Sequence, residues 1–264
     1  MNHEIVNITR NGRVAVVRFD RGFDPNPLSH RALVELTEAA RSFEHDDETS
    51  VVVLTGRDRV FTAGSDLKDP EMARLAGASL KDKRKGAKIG ATMCRAWESM
   101  SQVTIAAIEG YCLGGGVSLA VSCDFRVLGA GARLSVPELK LAMNMSWQTL
   151  PRLTNLVGPA KAKRIVILAE MLDARVALDW GLADWAVEEG RAFEEALAVA
   201  EKVAAQPPLP VAMTKEAINV HAAAHNHLAS YMDHDQFTLT LYSRDHVEGL
   251  TAFIEKREPR FKGE

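Results

Sequence analysis

Cysteine is scarce in this sequence, and the cysteines show no pattern of a disulfide framework. The three, Cys94, Cys112 and Cys123, include no CxxC pair and are odd in number. Free thiols are typical of a reducing compartment, which predicts a cytoplasmic location. Long apolar runs are also missing. No segment reaches the roughly 18 residues of a membrane span, and residues 1–4 do not open a signal peptide.

Positive charge is not in excess either. The chain has 32 Lys and Arg residues against 35 Asp and Glu residues, for a formal net charge of −3. Such a balance gives no basic field for nucleic acid and no cationic face for an acidic membrane, so neither partner is expected. With 47% hydrophobic residues among 264, the chain can bury a large core in one or two domains. An enzyme is a better expectation than a scaffold.

Short β-rich runs alternate with helical spacing of apolar residues in the first part of the chain. Ser29 is placed to N-cap one of the helices. Runs that are apolar on both faces are typical of parallel strands, and their alternation with helices predicts an α/β fold with right-handed crossovers. The β-rich runs are residues 13–19, 51–56, 104–108 and 125–128.

The second part of the chain has a different character. After about Pro159 strand patterns nearly vanish, and the proline-rich segment 206–210 precedes long helical patterns that continue to Arg257. We therefore predict a body over residues 1–200 and a helical region over residues 201–264, serving as a lid or an oligomer contact. Residues 80–85 carry four positive charges, which predicts a solvated face or a contact to an anionic group.

Two glycine-containing turns follow buried strands. They cover residues 61–68 and 109–120, and the second holds three successive glycines where a helical pattern begins. Glycine permits φ values and close approaches that a Cβ forbids, and free N–H groups at a helix start favour a negative oxygen. The second turn lacks the GK[ST] of a P-loop, and Leu119 stands where a dinucleotide fingerprint has its third glycine. On the glycines alone, tight turns under a packed helix explain the pattern equally well.

Together the two turns resemble those of the crotonase (enoyl-CoA hydratase/isomerase) superfamily. The resemblance extends over nearly the whole chain and implies an α/β, crotonase-like ββα spiral over residues 1–200, with a C-terminal helical trimerisation region. It also implies a homotrimer or dimer of trimers, an acyl-CoA substrate, no metal, and no cofactor beyond the coenzyme A that enters with the substrate. The further segments that carry it are residues 108–124, 137–138, 152–153, 182–184 and 249–261.

The resemblance implies an oxyanion hole built from the backbone N–H groups of Ser65 and Gly115. Two preorganised donors would stabilise the charge that develops on a thioester oxygen as it becomes an enolate. Family members often carry alanine at the position of Ser65, but a backbone role tolerates this change. The residues that the resemblance assigns to coenzyme A are Ala63, Asp66 and Leu67 through backbone contacts to the adenine, and Lys68 and Lys256 through contacts to phosphates.

Glu138 is the acid/base that the resemblance implies. Family hydratases hold a water between two glutamates, and here the other position is Ser118, which cannot buffer a proton near neutral pH. Burial of Glu138 beside apolar residues predicts a pKa raised towards neutrality. Double-bond isomerisation by Glu138 alone and hydration by one glutamate both remain open, with Ser118 holding a water or simply filling space. A CoA-ester-binding protein without catalysis is an alternative, because the second acid is missing.

The sequence also departs from the family pattern where the acyl pocket is expected. Met145 and Trp147 stand in the place of a Pro/Gly-rich turn, and they either narrow the acyl pocket or belong to the core. A serine after the glycines is similar to hydroxycinnamoyl-CoA hydratase-lyase. A hydratase-lyase-like activity is therefore a further alternative, although that enzyme also carries a tyrosine shortly after the first turn, where this chain has Pro70.

Two other function classes have weaker patterns. Residues 116–120 nearly match the GxSxG elbow, and Ser118, Asp184 and His246 follow the order of an α/β-hydrolase triad. However, three glycines already form the turn before the serine. The histidines within residues 221–227 have helical metal-ligand spacing but no nearby third ligand, which favours exposed histidines on an alanine-rich helix.

Overall fold

A six-stranded sheet forms the body of the protein in a computed structural model that describes residues 4–264, without the side chains of Met72, Ala73 and Ala76. Residues 1–3, on which the expectation about a signal peptide partly rests, lie outside the described residues. The first two strands are antiparallel, and every later neighbour is parallel, as the doubly apolar runs predict. In spatial order the strands are β1 (Val6–Asn11), β2 (Val14–Phe19), β3 (Val51–Thr55), β4 (Val103–Ile108), β6 (Phe125–Gly129) and β9 (Trp185–Val187).

A smaller three-stranded sheet lies beside the first. Its strands are β5 (Tyr111–Leu113), β7 (Arg133–Ser135) and β8 (Leu172–Asp173). The chain alternates between the sheets, because β4 leads to β5 and β6 leads to β7, and a helix follows each pair. This repetition of two strands and a helix is the predicted ββα arrangement.

The helices cover both faces of the main sheet and form the C-terminal region. Ser29 caps the first of them by accepting a hydrogen bond from the N–H of Ala32, as predicted. They are α1 (His30–Arg41), α2 (Pro70–Ala76), α3 (Leu80–Ala87), α4 (Ile89–Glu98), α5 (Gly115–Ala120), a 3-10 helix (Glu138–Leu141), α6 (Thr149–Ile167), α7 (Ala174–Asp179), α8 (Ala192–Ala204), α9 (Pro208–Ala222), α10 (Asn226–Ser230), α11 (Asp233–Leu241) and α12 (Arg244–Glu255).

Alternate residues of the central strands point into two different cores. In β3, Val52 and Leu54 belong to the larger core with α1 and α4, whereas Val51 and Val53 face α8. All five residues of the strand are buried. This two-sided burial explains why the parallel strands are apolar without alternation.

The structure adds strands beyond Pro159, where the sequence shows almost no strand pattern. The short strands β8 and β9 follow it, and β9 joins the edge of the main sheet beside β6. Strands of two or three residues are too short to show a period in the sequence. The expected boundary at residue 200 falls inside α8, which packs on the main sheet through Ala196 and Val199, among others.

The C-terminal helices fold back onto the body. Asp235 in α11 forms an ion pair with Arg84 in α3, with 2.7 Å between Oδ1 and Nε. In α12, Gly249 packs on Leu141 of the 3-10 helix, and Nδ1 of His246 lies 2.7 Å from the Leu141 carbonyl oxygen. Among the described residues, no helix is both long and apolar enough to cross a membrane.

Candidate active site

The two glycine turns lie side by side. The N–H of Thr62 donates to the carbonyl of Tyr111 (2.8 Å), and the N–H of Leu113 donates to the carbonyl of Thr62 (3.0 Å). Gly64 has a φ of 89°, and a Cβ there would lie only 2.7 Å from the Leu113 carbonyl oxygen. Both turns follow neighbouring parallel strands, β3 and β4, and therefore leave the sheet at the same edge. Gly64 is required by the backbone conformation and by this close approach.

The two predicted oxyanion donors come from these turns. Gly115 is the first residue of α5, and Gly114 before it has a φ of 51°. A Cβ on Gly64, the neighbour of Ser65, would lie 3.5 Å from the Gly115 nitrogen, so the turns meet at this atom. Within residues 4–264, neither the Ser65 N–H nor the Gly115 N–H has a hydrogen-bond acceptor. The structure thus brings together two amides that are free to bind an oxygen.

Glu138 lies at the same place. It begins the 3-10 helix, and its Oε1 sits so close to Gly114 that a Cβ on that glycine would overlap it. The residue as a whole is half-buried, but Oε2 is enclosed and has no hydrogen-bond partner among the described residues. Burial raises the pKa of this carboxyl from 4.5 to about 7. A carboxyl that is half-protonated near neutral pH can both take and give a proton.

Ser118 occupies an enclosed position one turn into α5. It is fully buried, and its Oγ lies 2.7 Å from Oγ1 of Thr149 and 3.4 Å from the Gly114 carbonyl oxygen. The Thr149 hydroxyl also lies 2.7 Å from the Ser146 carbonyl oxygen. The serine hydroxyl is therefore part of an internal hydroxyl chain, and Thr149 is a neighbour that sequence reasoning missed. It lies 31 positions away, and no local pattern connects the two.

The hydrolase interpretation of the same serine is wrong. Ser118 lies inside a helix rather than at a strand-to-helix turn. Asp184 binds the guanidinium of Arg126 at 2.9 Å, and the ring of His246 bonds to the Leu141 carbonyl. The three residues of the supposed triad each have other partners and form no relay.

The two acyl-pocket candidates occupy different environments. Met145 is 3% exposed and belongs to the larger core. Trp147 is half-buried, and its indole packs directly on Gly115, where a Cβ would overlap the ring. Of these two residues, Trp147 is therefore the one with a described contact to Gly115.

The first turn also holds four of the residues assigned to coenzyme A. The N–H groups of Ala63 and Asp66 donate to carbonyls of the segment before α1, each at 3.0 Å, so these two amides are already used. The carbonyl of Ala63 and the N–H of Leu67 have no partner in the described part of the chain. The side chains of Leu67 and Lys68 are exposed. These four residues therefore offer a ligand the Ala63 carbonyl, the Leu67 N–H and the Lys68 ammonium group, next to the free N–H of Ser65.

The other cations assigned to coenzyme A or to an anionic group lie on α3 and at the end of α12. Lys256 is exposed at the end of α12, the helix that packs on the 3-10 helix of Glu138. The basic run forms the exposed α3, where Arg84 is already paired with Asp235. The structure thus joins Ser65, Gly115, Glu138 and Trp147 in one site but shows no contact of the basic run or Lys256 with it.

Arg21 is a cation that sequence reasoning missed. Its Nη1 donates to Oδ2 of Asp66 and to the Pro27 carbonyl, both at 3.1 Å, so it braces the first turn. A basic residue near the start of the 25–29 segment could have indicated it, but only the fold shows that it reaches the turn. In residues 4–264 no group of three or more His, Cys, Asp or Glu side chains could hold a metal ion, and the histidines within residues 221–227 are exposed.

Comparison with known proteins identifies the family of the chain. The family model of enoyl-CoA hydratase/isomerase matches residues 9–264. The crotonyl-CoA hydratase of Syntrophomonas wolfei is 30% identical over 99% of both chains, and the short-chain-enoyl-CoA hydratase of Clostridium acetobutylicum is 32% identical over 96% of this chain and 95% of its own. The crystal structure of an enoyl-CoA hydratase/isomerase from Pseudoalteromonas atlantica superposes with a TM-score of 0.88 and 26% identity, covering 98% of this chain and all of that one. The chain, with its mixed α/β fold and helical C-terminal region, therefore belongs to the enoyl-CoA hydratase/isomerase family of the crotonase superfamily.

Proposed function

We propose that the protein moves a proton at C2 of an enoyl-CoA thioester, with Glu138 as its sole acid/base. The observation that supports this most strongly is the enclosed carboxyl of Glu138, which has a pKa of about 7 and an unpartnered Oε2, and which lies against Gly114, the neighbour of Gly115. A buried carboxyl oxygen without a hydrogen-bond partner costs stability, which makes it typical of a functional site rather than of a structural contact. The same observation argues against a protein that only binds CoA esters.

In the proposed mechanism the thioester oxygen accepts hydrogen bonds from the Ser65 and Gly115 amides. The Glu138 carboxylate removes a proton from C2, and the electron pair moves onto the thioester oxygen as an enolate. In isomerisation the enolate reforms the carbonyl, the double bond shifts from C3 to C2, and Glu138 returns the proton to C4. One carboxyl is sufficient, since the same proton leaves and returns. Losing one oxyanion donor of this kind costs roughly 3–4 kcal/mol in other enzymes.

Hydration is the second candidate, and the names of the hydratase relatives favour it. Here Glu138 takes a proton from water while the hydroxide adds to C3, and the enolate then receives that proton at C2. The reaction balances with one carboxyl, but the water lacks a second carboxylate. Ser118 is not suited to replace one, because its hydroxyl is already bonded to Thr149.

Glu138→Gln tests the assignment, since it keeps the shape and removes the base. Turnover of 3-enoyl-CoA and 2-enoyl-CoA esters should fall by about 10²–10⁴, while affinity for a saturated acyl-CoA is retained. Glu194→Gln, an exposed carboxylate in α8, is the control and should leave turnover unchanged. Conversion of 3-enoyl to 2-enoyl esters identifies the isomerase, and formation of a 3-hydroxyacyl ester identifies the hydratase. Full activity of Glu138→Gln on the best substrate would contradict the mechanism.

The coenzyme A contacts and the assembly are part of the same proposal. Lys68 and Lys256 bind phosphate groups, and the backbone of residues 63–67 contacts the adenine. The chain forms a homotrimer or dimer of trimers through its C-terminal region, because α9 and α12 leave many apolar side chains exposed. A sedimentation experiment that shows only monomer at micromolar concentration would refute the assembly. The exposed apolar side chains of α9 and α12 are Leu209, Met213, Ile218, Val220, Val247, Phe253 and Ile254.

Cytoplasmic location stays a prediction, supported by three free, buried cysteines.

A further inference from the structure

The segment that carries Trp147 has an unusual backbone. Trp147 and Gln148 are both left-handed, with φ values of 62° and 60°, and neither is glycine. L-residues seldom adopt this conformation, because their Cβ approaches the carbonyl oxygen, and two in succession need support from elsewhere. The support comes from Arg152, whose Nη1 donates to the Trp147 carbonyl at 2.8 Å and to the Gln148 carbonyl at 3.2 Å.

Arg152 is itself held in place from another helix. Its Nε and Nη2 donate to the two carboxylate oxygens of Glu98 in α4, at 2.8 and 2.7 Å, and its side chain is only 4% exposed. On the other side, the N–H of Gln148 donates to Oδ2 of Asp233 in α11 at 2.7 Å. The left-handed pair is thus fixed from α4, α6 and α11. The pair is bidentate, with a buried arginine and a half-buried carboxylate, a geometry that fixes the guanidinium in position.

This backbone places the Trp147 indole between two glycines. The ring lies on Gly115, beside the proposed oxyanion amide, and on Gly90, in the first turn of α4. A Cβ at either glycine would overlap the ring. Glycine within a helix is unfavourable, so its presence at position 90 is explained by the space that the indole occupies.

We infer that Trp147 is a fixed wall that ends the acyl site beside Gly115 and selects short acyl groups. We also infer that Glu98 and Arg152 are positioning residues that hold it there. This inference rests on the proposed function. A thioester oxygen bonded to the Gly115 amide puts the first acyl carbons next to this glycine, and the indole covers the adjoining surface as far as Gly90. A longer chain that follows this surface must displace the ring, which the Arg152 contacts oppose.

The first test measures binding rather than turnover, so it is independent of the acid/base role of Glu138. Affinities for butyryl-CoA and decanoyl-CoA are measured by calorimetry for the native protein and for Trp147→Ala. The ratio of the two affinities should shift towards decanoyl-CoA by about tenfold or more, since even one methylene in a fitted pocket changes selection by that order. Trp180→Ala is the matched control, because this half-buried tryptophan contacts Lys161 and Arg164 instead. It should leave the ratio unchanged.

The second test separates positioning from general stability. Glu98→Gln combined with Arg152→Gln removes both charges together, so neither is left unpaired inside the protein. This double variant should shift the affinity ratio in the same direction as Trp147→Ala, and adding Trp147→Ala to it should produce no further shift. Arg152→Lys, which keeps the charge but loses the bidentate geometry, should give an intermediate ratio.

An unchanged ratio in Trp147→Ala would overturn the inference, as would a double variant that melts at a lower temperature but selects chain length like the native protein. Neither result depends on turnover. A protein that binds CoA esters with the expected ratios but converts none of them would refute the proposed function and leave the wall in place.

Discussion

The buried carboxyl of Glu138 should lower the protein's stability as the pH rises. This is the opposite of the effect of a carboxylate whose pKa is lowered by folding. The pKa of Glu138 is about 7 in the folded state and 4.5 as an ordinary carboxyl. The folded state therefore binds this proton more tightly than the unfolded chain does, so this group's stabilisation is complete below pH 4.5 and is lost as the pH rises through about 7. One pKa unit corresponds to about 1.4 kcal/mol, which makes the loss at most about 3 kcal/mol.

Glutamine at this position does not titrate, so the unfolding free energy of Glu138→Gln does not contain this decrease with rising pH. Any fixed cost of burying an amide is the same at every pH and cancels in the comparison. The unfolding free energy of Glu138→Gln minus that of the native protein should therefore increase by about 3 kcal/mol between acidic pH and about pH 8. The activity of the native protein should show the matching acid limb, with kcat/KM falling as pH drops below about 7.

Urea unfolding followed by tryptophan fluorescence, at one protein concentration across the pH range, measures this difference. Glu71→Gln is the control, because a hydrogen bond from Arg74 lowers the pKa of Glu71, which predicts a difference that changes in the opposite direction. If the native protein and Glu138→Gln lose stability in parallel across the range, the carboxyl of Glu138 is not held in the environment described above.

Other substitutions give further tests. Ser118→Ala should lower the unfolding free energy by about 1 kcal/mol, the typical net value of one hydrogen bond, and leave isomerisation unchanged. Ser118→Glu should destabilise the protein by about 1–3 kcal/mol or more instead of restoring a second acid, because the position is fully buried; chemical denaturation measures both variants. If Glu138 is the acid/base, Gly114→Ala should abolish most turnover, because the added Cβ would displace the Glu138 carboxylate; normal turnover would show that the carboxylate has room to move. Lys68→Ala and Lys256→Ala should each weaken CoA-ester binding by about two- to fivefold in calorimetry, whereas the exposed Lys85→Ala should not. If both leave the affinity unchanged, the phosphates lie elsewhere.

The sequence alone determined the parts of the fold that depend on local patterns. Runs such as residues 51–54 are apolar at every position, as strands buried on both faces require. Ser29 marks the start of α1, because a side-chain oxygen must satisfy the first free N–H groups of a helix. Gly64 and Gly114 indicated two unusual turns, and both glycines have the positive φ that glycine accommodates. Glu138 was identified through the family pattern around it.

The tertiary structure decided what depends on residues far apart in the chain. The pKa of Glu138 is raised because the fold buries its carboxyl and leaves Oε2 without a hydrogen-bond partner. The Ser118 hydroxyl is bonded to Thr149, and the Trp147 indole packs on Gly90 in α4. The strands β8 and β9 exist because longer neighbours supply their hydrogen bonds. Local sequence propensity cannot predict such contacts, because burial, electrostatic environment and side-chain packing arise only when distant segments meet.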